Sequence, residues 1–350
     1  MRIIIDDVAS TYTHRLDSHR SSWARMVRCA VADMKPEAEV ELLFDGDWDG
    51  KFDQWVIVYP MEFTGKGINM QGGPNPKVLD RLGRLIDTDD AYSRVVSLER
   101  PLPDYNELVV KPRFHQDLTE FTELTGLVRE VSLESVVRAA AAEGGAKPSV
   151  VLGDSHAASH YVRHSLILRH DALTLYGALE RRLEKMLPAW SLDPDQCSGV
   201  KLVFGNIDVR HHLCRQDDPK AALKSLLDAY HAQVDDLARS SGQELTIVTP
   251  LPIEFEARRL PKTGWYKGAP FYGSREDRLD LVRDWWEWAS TECYYPTWHW
   301  PLSWYRMDGE EYAKYRMEKP NSVHLSPRWH LWDYETNEPN ARLIDEVWGA

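Results

Sequence analysis

Short β-branched and apolar runs alternate with helical stretches through almost the whole chain. This alternation restricts the fold more than any single motif does. Strand–helix–strand repetition sets consecutive strands parallel, with helices crossing over the faces of the sheet. The clearest instance is Pro148-Ser-Val-Val-Leu-Gly-Asp154-Ser155-His156, a β-branched run that ends in Gly-Asp-Ser and leads into a predicted helix. Such a turn lifts a serine hydroxyl to the carboxyl edge of a sheet, where a helix N-terminus stabilises negative charge.

A chain of 350 residues suits two domains better than one. In the first half, strands are expected at 2–5, 40–44, 54–59 and 95–98, with helices at 22–34 and 77–86. These form a smaller α/β accessory domain over residues 1–130. A connecting segment, 131–147, carries a helix at 133–142 that Ser132 caps and Gly144-Gly145 ends. The second domain covers 148–350. Its strands are expected at 149–152, 172–175, 200–204 and 245–248. Its helices are expected at 157–164, 178–186, 220–239 and 275–289, the last capped by Ser274 with acids in its first turn. The result is an α/β, three-layer α/β/α domain with a parallel sheet of four or five strands and functional loops at their carboxyl ends.

Composition narrows the function classes. No apolar stretch approaches the ~20 residues of a membrane span, and Met1-Arg-Ile-Ile-Ile-Asp-Asp has no signal-peptide pattern, so a cytoplasmic address is expected. The four cysteines, Cys29, Cys197, Cys214 and Cys293, are scattered without a CxxC, which points to neither a disulfide framework nor a zinc ribbon. A net charge of -13 argues against a broad nucleic-acid surface.

Ser155 requires a base, because a serine hydroxyl is almost wholly protonated at neutral pH. His324, in the polar run Pro320-Asn-Ser-Val-His-Leu-Ser-Pro327, is the candidate. A further segment, Gly205-Asn206-Ile-Asp208, follows another apolar run and is read as a partner.

Together these segments resemble the SGNH, or GDSL-like, hydrolases and acyltransferases, with the blocks in the family's order over roughly the last 200 residues. The resemblance implies a flavodoxin-like α/β/α fold with Ser155 as nucleophile and His324 as base. It implies an oxyanion hole built from the Ser155 N–H, the Gly177 N–H and the Gly205-Asn206 block. The chain departs from the pattern twice. Asn206 stands one place earlier than the family's asparagine, and Asn321 stands where an aspartate that orients the histidine is expected. An amide can orient an imidazole but cannot neutralise an imidazolium. Asp154, Asp208 and Asp333 are alternative carboxylates.

Other motifs favour structural readings. His156, His160 and His164 recur every fourth residue, which on a helix makes one histidine face; a half-exposed face is favoured over a metal site, and no cofactor is expected. Asp208 and Arg210 read as a structural ion pair. Asp45, Asp47, Asp49 and Gly50 match the start of a calcium loop, but Val56 stands where a bidentate Glu is needed, so an acidic turn is expected. The loop from Gly65 to Gly73 matches no phosphate-binding motif. Trp285 and Trp288, at helical spacing, read as core. Trp298, Trp300 and Trp304, in a proline-bounded segment, read as a substrate wall.

The sequence therefore points to a serine-dependent acyl-ester hydrolase acting on a small-molecule or glycan ester. An O-acyltransferase modifying a glycan or polyol would use the same residues. A degenerate SGNH domain that binds carbohydrate or a protein partner is the non-enzymatic alternative.

Overall fold

Ile3, Ile4 and Ile5 are all buried, as expected for a parallel strand covered on both faces. They belong to β1 (Arg2–Asp7) of the first sheet in the computed structural model, which describes residues 1–7, 22–43, 51–58, 95–99, 129–170, 173–254, 272–319 and 322–348. The chain divides into two compact units, Met1–Ala146 and Lys147–Ala350.

The first unit adds β2 (Glu39–Leu43), β3 (Gln54–Val58), β4 (Val95–Glu99) and β5 (Arg129–Ser132), all parallel, in the order β2-β1-β3-β4-β5. Helix α1 (Ser22–Met34) buries Ala24, Met26, Val27, Ala30 and Val31. Helix α2 (Leu133–Glu143) packs against α1 and belongs to this unit rather than linking it to the next. Ser132 caps α2 by accepting the Ser135 N–H at 3.0 Å. Strand β5 was not expected. Its residues, Arg-Glu-Val-Ser, lack an apolar run because β5 is an edge strand, where polar composition is tolerated. The expected helix at 77–86, the aspartates at 45, 47 and 49, and the Gly65–Gly73 loop lie outside the described residues.

The second unit is built on β6 (Ser149–Gly153), β7 (Ser165–Arg169), β8 (Val200–Val203), β9 (Leu245–Val248) and β10 (Thr297–Trp298). These pair in parallel in the order β10-β9-β8-β6-β7. Counted within its own unit, each sheet has the order 2-1-3-4-5. In such a sheet the chain leaves the first strand toward one edge and returns past it to the other. The crevice this opens, at the carboxyl ends of β6 and β8, is where open α/β sheets bind ligands.

Helices α3 (Leu175–Arg181), α4 (Pro219–Ser241) and α5 (Arg275–Thr291) flank the sheet, followed by α6 (Leu302–Arg306), α7 (Gly309–Arg316), a short hairpin of β11 (Trp332–Asp333) and β12 (Glu338–Pro339), and α8 (Ala341–Trp348). Asp218 and Pro219 start α4, and Gly242 at φ 67 ends it. Ser274 and Asp277 form a reciprocal capping box on α5.

Two expectations are corrected here. The second strand is Ser165–Arg169, not 172–175. Thr174 accepts the Gly177 N–H at 2.9 Å and caps α3, so the apolar run around it opens a helix instead. The helix expected at 157–164 is a single 3-10 turn, Ala157–His160, and His164 at φ 63 turns the chain into β7. Among the described residues, no helix is long and apolar enough to cross a membrane.

Candidate active site

The turn after β6 depends on a glycine. A Cβ on Gly153 would lie 2.2 Å from the Val203 carbonyl oxygen, so only glycine lets β6 approach β8 this closely at the carboxyl edge. Asp154 then donates its N–H to the Val203 carbonyl at 2.9 Å. Ser155 follows, 9% exposed. Just past the neighbouring strand β8, Gly205 adopts φ 94 with the Trp285 indole against its Cα, and a Cβ there would fall 2.2 Å from the ring.

His324 arrives from the other end of the unit. An antiparallel bridge joins Met317 to Leu325, and the Glu318 N–H donates to the His324 carbonyl at 3.0 Å. The intervening turn sets residues 318 and 324 opposite one another. Its Ser322 hydroxyl donates to Glu318 Oε1 at 2.7 Å and accepts the His324 N–H at 3.0 Å. His324 Nε2 lies 2.9 Å from Ser155 Oγ, within the reach a general base needs. Its Nδ1 lies 3.9 Å from Glu318 Oε1, an ion-pair distance rather than a hydrogen bond. The Glu318 side chain is only 7% exposed.

Sequence reading missed Glu318 because it sits six places before His324, whereas the family pattern sets its carboxylate three places before. The signal that reveals it is cross-strand register. The antiparallel bridge of Met317 to Leu325 brings 318 and 324 together. Asn321 itself lies outside the described residues. The alternative carboxylates serve other groups. Asp154 faces His156, Asp208 accepts the N–H groups of Leu175 and Tyr176 at the start of α3, and Asp333 accepts those of Glu335 and Thr336 in the hairpin turn.

Asp154 and His156 form the floor of the site. Asp154 Oδ1 accepts the His156 backbone N–H at 2.8 Å and meets the ring Nδ1 at 2.9 Å. The other ring nitrogen meets the Val323 carbonyl at 2.9 Å. The bridge ties the Ser155 turn to the residue next to His324, and the two imidazoles lie 5.1 Å apart.

The expected oxyanion donors are placed differently. Gly177 is in the first turn of α3 with its N–H on Thr174. Asn206 is buried, with Nδ2 directed to Asp154 Oδ2 at 3.3 Å and Oδ1 accepting the Leu251 N–H at 2.9 Å. Gly205 stays at the carboxyl end of β8, beside the serine turn. Arg210 pairs with Glu254 at 2.9 Å rather than with Asp208, and also donates to the Asn206 and Pro252 carbonyls. This buried pair joins the loops that follow β8 and β9.

The substrate wall is also corrected. Trp304 is fully buried and Trp300 nearly so, with their rings stacked at 5.5 Å. Trp304 donates to Glu346 through Nε1. Arg316 lies 4.0 Å from the Trp329 ring centre and also pairs with Glu346 at 2.7 Å. These tryptophans are core, as are Trp285 and Trp288. Trp298 is half-buried, edge-on to His160 at 6.0 Å.

Because the chain leaves its 3-10 turn at Tyr161, the histidines 156, 160 and 164 do not share a helical face. Burial holds His160 well below the usual imidazole range, with Lys201 adding to the effect. Among the described residues, no group of three or more His, Cys, Asp or Glu is placed to hold a metal.

No family model matches the chain, and no curated protein or solved structure matches it.

Proposed function

We propose that the second unit is a serine-dependent acyl-ester hydrolase of SGNH-like architecture. The observation that carries this reading is the 2.9 Å contact between Ser155 Oγ and His324 Nε2, made between residues 169 positions apart at the switch point of a parallel sheet. In the proposed reaction His324 takes the hydroxyl proton as Ser155 Oγ attacks the acyl carbonyl. The imidazolium then returns that proton to the leaving alkoxide as the tetrahedral intermediate collapses to an acyl-enzyme. A water, deprotonated by the same histidine, attacks the acyl-enzyme; as this second intermediate collapses the imidazolium returns the proton to Ser155 Oγ and the acid leaves. Glu318 is the counter-charge for the imidazolium, the role that the family pattern gives to an aspartate.

The placements of Gly177 and Asn206 favour a second reading, a binding domain that keeps the fold and has lost turnover, because neither residue aims a donor at a developing oxyanion. Labelling with a fluorophosphonate separates the two. The hydrolase reading expects covalent labelling that Ser155→Ala and His324→Ala each abolish. An unlabelled, folded protein supports the binding domain.

A further inference from the structure

The chain around His324 is tied back on itself by its backbone. Met317 bridges to Leu325, the Glu318 N–H donates to the His324 carbonyl at 3.0 Å, and the Ser322 N–H donates to the Lys319 carbonyl at 2.9 Å. These bonds set the path of the main chain between 317 and 325. They do not set the Glu318 carboxylate, which hangs from the backbone on a run of rotatable bonds. A contact that does reach it comes from Ser322.

A serine hydroxyl has one proton to give, and Ser322 gives it to Glu318 Oε1 at 2.7 Å. That oxygen is the one that lies 3.9 Å from His324 Nδ1. The serine oxygen in turn accepts the His324 backbone N–H at 3.0 Å. The contacts close a circuit: the His324 main chain holds the Ser322 oxygen, the Ser322 proton holds the Glu318 oxygen, and that oxygen faces the His324 ring. The far nitrogen of the same ring lies 2.9 Å from Ser155 Oγ. Ser322 is 5% exposed and the Glu318 side chain 7%, so water competes little for the hydroxyl. A hydroxyl on a carboxylate makes a charge-assisted bond, shorter and stronger than one between neutral groups. The attraction between a carboxylate and an imidazolium falls with separation and with the access of water, so a Glu318 side chain released from Ser322 would serve the ring less well.

We propose that Ser322 is a positioning residue of the Ser155 site, whose hydroxyl proton holds the Glu318 carboxylate against His324. It acts on the reaction through Glu318 and touches neither the substrate nor the reacting atoms. This role rests on the hydrolase reading. A serine that only closed the turn, by accepting the His324 N–H, would act whether or not residue 318 carried a charge. The two roles therefore differ in whether the effect of losing the hydroxyl depends on the Glu318 charge.

The test is a double-mutant cycle on the rate at which a fluorophosphonate labels Ser155 in the full chain, with the unfolding midpoint of each variant recorded. Ser322→Ala is expected to slow labelling ~10-fold, while Ser322→Thr, which keeps the hydroxyl, stays within about threefold of the parent. Glu318→Gln is expected to be slower than either. Adding Ser322→Ala to Glu318→Gln should change the rate by less than about twofold, because with the charge gone the hydroxyl has nothing left to hold. Where Ser322→Ala does not fold, Ser322→Cys, of similar shape but a weaker donor, takes its place in the cycle. Losses that multiply in the double variant make Ser322 a turn-closing residue and overturn the proposal. Parental rates in Ser322→Ala, or a Ser322→Thr as slow as Ser322→Ala, overturn it as well. In each of those cases a labelled parent leaves the hydrolase reading standing. A folded parent that takes no label fails the hydrolase reading, and the positioning role with it.

Discussion

Glu318→Gln isolates the charge that distinguishes a full relay from a bare Ser–His pair. The amide keeps the shape of the side chain and an oxygen for the Ser322 hydroxyl, which donates to Glu318 at 2.7 Å. What it removes is the negative charge 3.9 Å from His324 Nδ1. Two unit charges at that separation attract by ~4 kcal/mol at an effective dielectric of about 20. The glutamate is 7% exposed and the histidine 20%, so solvent screens part of this and ~3 kcal/mol survives in the transition state. At 1.36 kcal/mol per decade the expected loss is about 10²-fold. The assay is the second-order rate constant for phosphonylation of Ser155, which needs the activated nucleophile and no knowledge of the natural substrate. Asn321→Leu serves as the companion variant and is expected to change the rate less than ~5-fold. If Glu318→Gln reacts at the parental rate while Asn321→Leu is slow, the amide orients the histidine and the Glu318 assignment is wrong. If both react at the parental rate, no third group supports the ring.

The remaining expectations concern stability and the supporting bridge. Gly205→Ala forces a Cβ into the Trp285 ring at a positive φ and is expected to cost about 3 kcal/mol or more in chemical denaturation; a cost below ~1 kcal/mol refutes the packing argument. Asp208 is ionised in the unfolded chain above its ordinary 3.8 but stays protonated in the folded protein up to about 6. Stability is therefore lost as pH rises between these values, by roughly 3 kcal/mol, and stays low above them. The difference in unfolding free energy between parent and Asp208→Asn should show that fall; a flat difference refutes it. His156→Ala removes the tie between Asp154 and the Val323 carbonyl and is expected to slow Ser155 phosphonylation by ~10-fold or more, with parental rates counting against a positioning role. Trp304→Ala, in the core stack, should cost about 3–5 kcal/mol of stability, and a change in KM without loss of stability would restore it to a substrate wall.

Strands β1 to β4 of the first sheet and β6, β8 and β9 of the second were legible because buried parallel strands are short apolar runs, a signal carried by the pattern of residues along the chain. Residues 165–169 and 172–175 show where it fails. Both are apolar and of strand length, and only the hydrogen bond of Thr174 to Gly177 marks the second as a helix start. The tryptophans mislead for a related reason. A proline-bounded aromatic segment looks irregular in sequence, but Arg316 and Glu346, 30 residues apart, supply the polar partners that let Trp304 be buried. The meeting of Ser155 and His324 was legible from their residue types. Glu318 was not, because its relation to His324 is set by strand register and not by a fixed spacing.

Asp154 fixes the orientation of the asparagine after β8. One wholly buried carboxylate receives the His156 backbone N–H, the His156 ring and the Asn206 amide. An isolated buried carboxylate is costly, and donors of this number are what offset that cost. Moving the asparagine to the next position would aim it elsewhere and leave Asp154 short of a partner. The His156 ring in turn reaches the Val323 carbonyl, so the same carboxylate organises the Ser155 turn, the loop after β8 and the loop that carries His324. With Asn206 held by Asp154 and Gly177 held by Thr174, stabilisation of an oxyanion in the proposed reaction falls to main-chain N–H groups around Ser155 and the Gly205 turn. Glycine is required at 153 and 205 because Val203 and the Trp285 ring pack where a Cβ would stand, and that packing brings the two turns together at the carboxyl edge of the sheet.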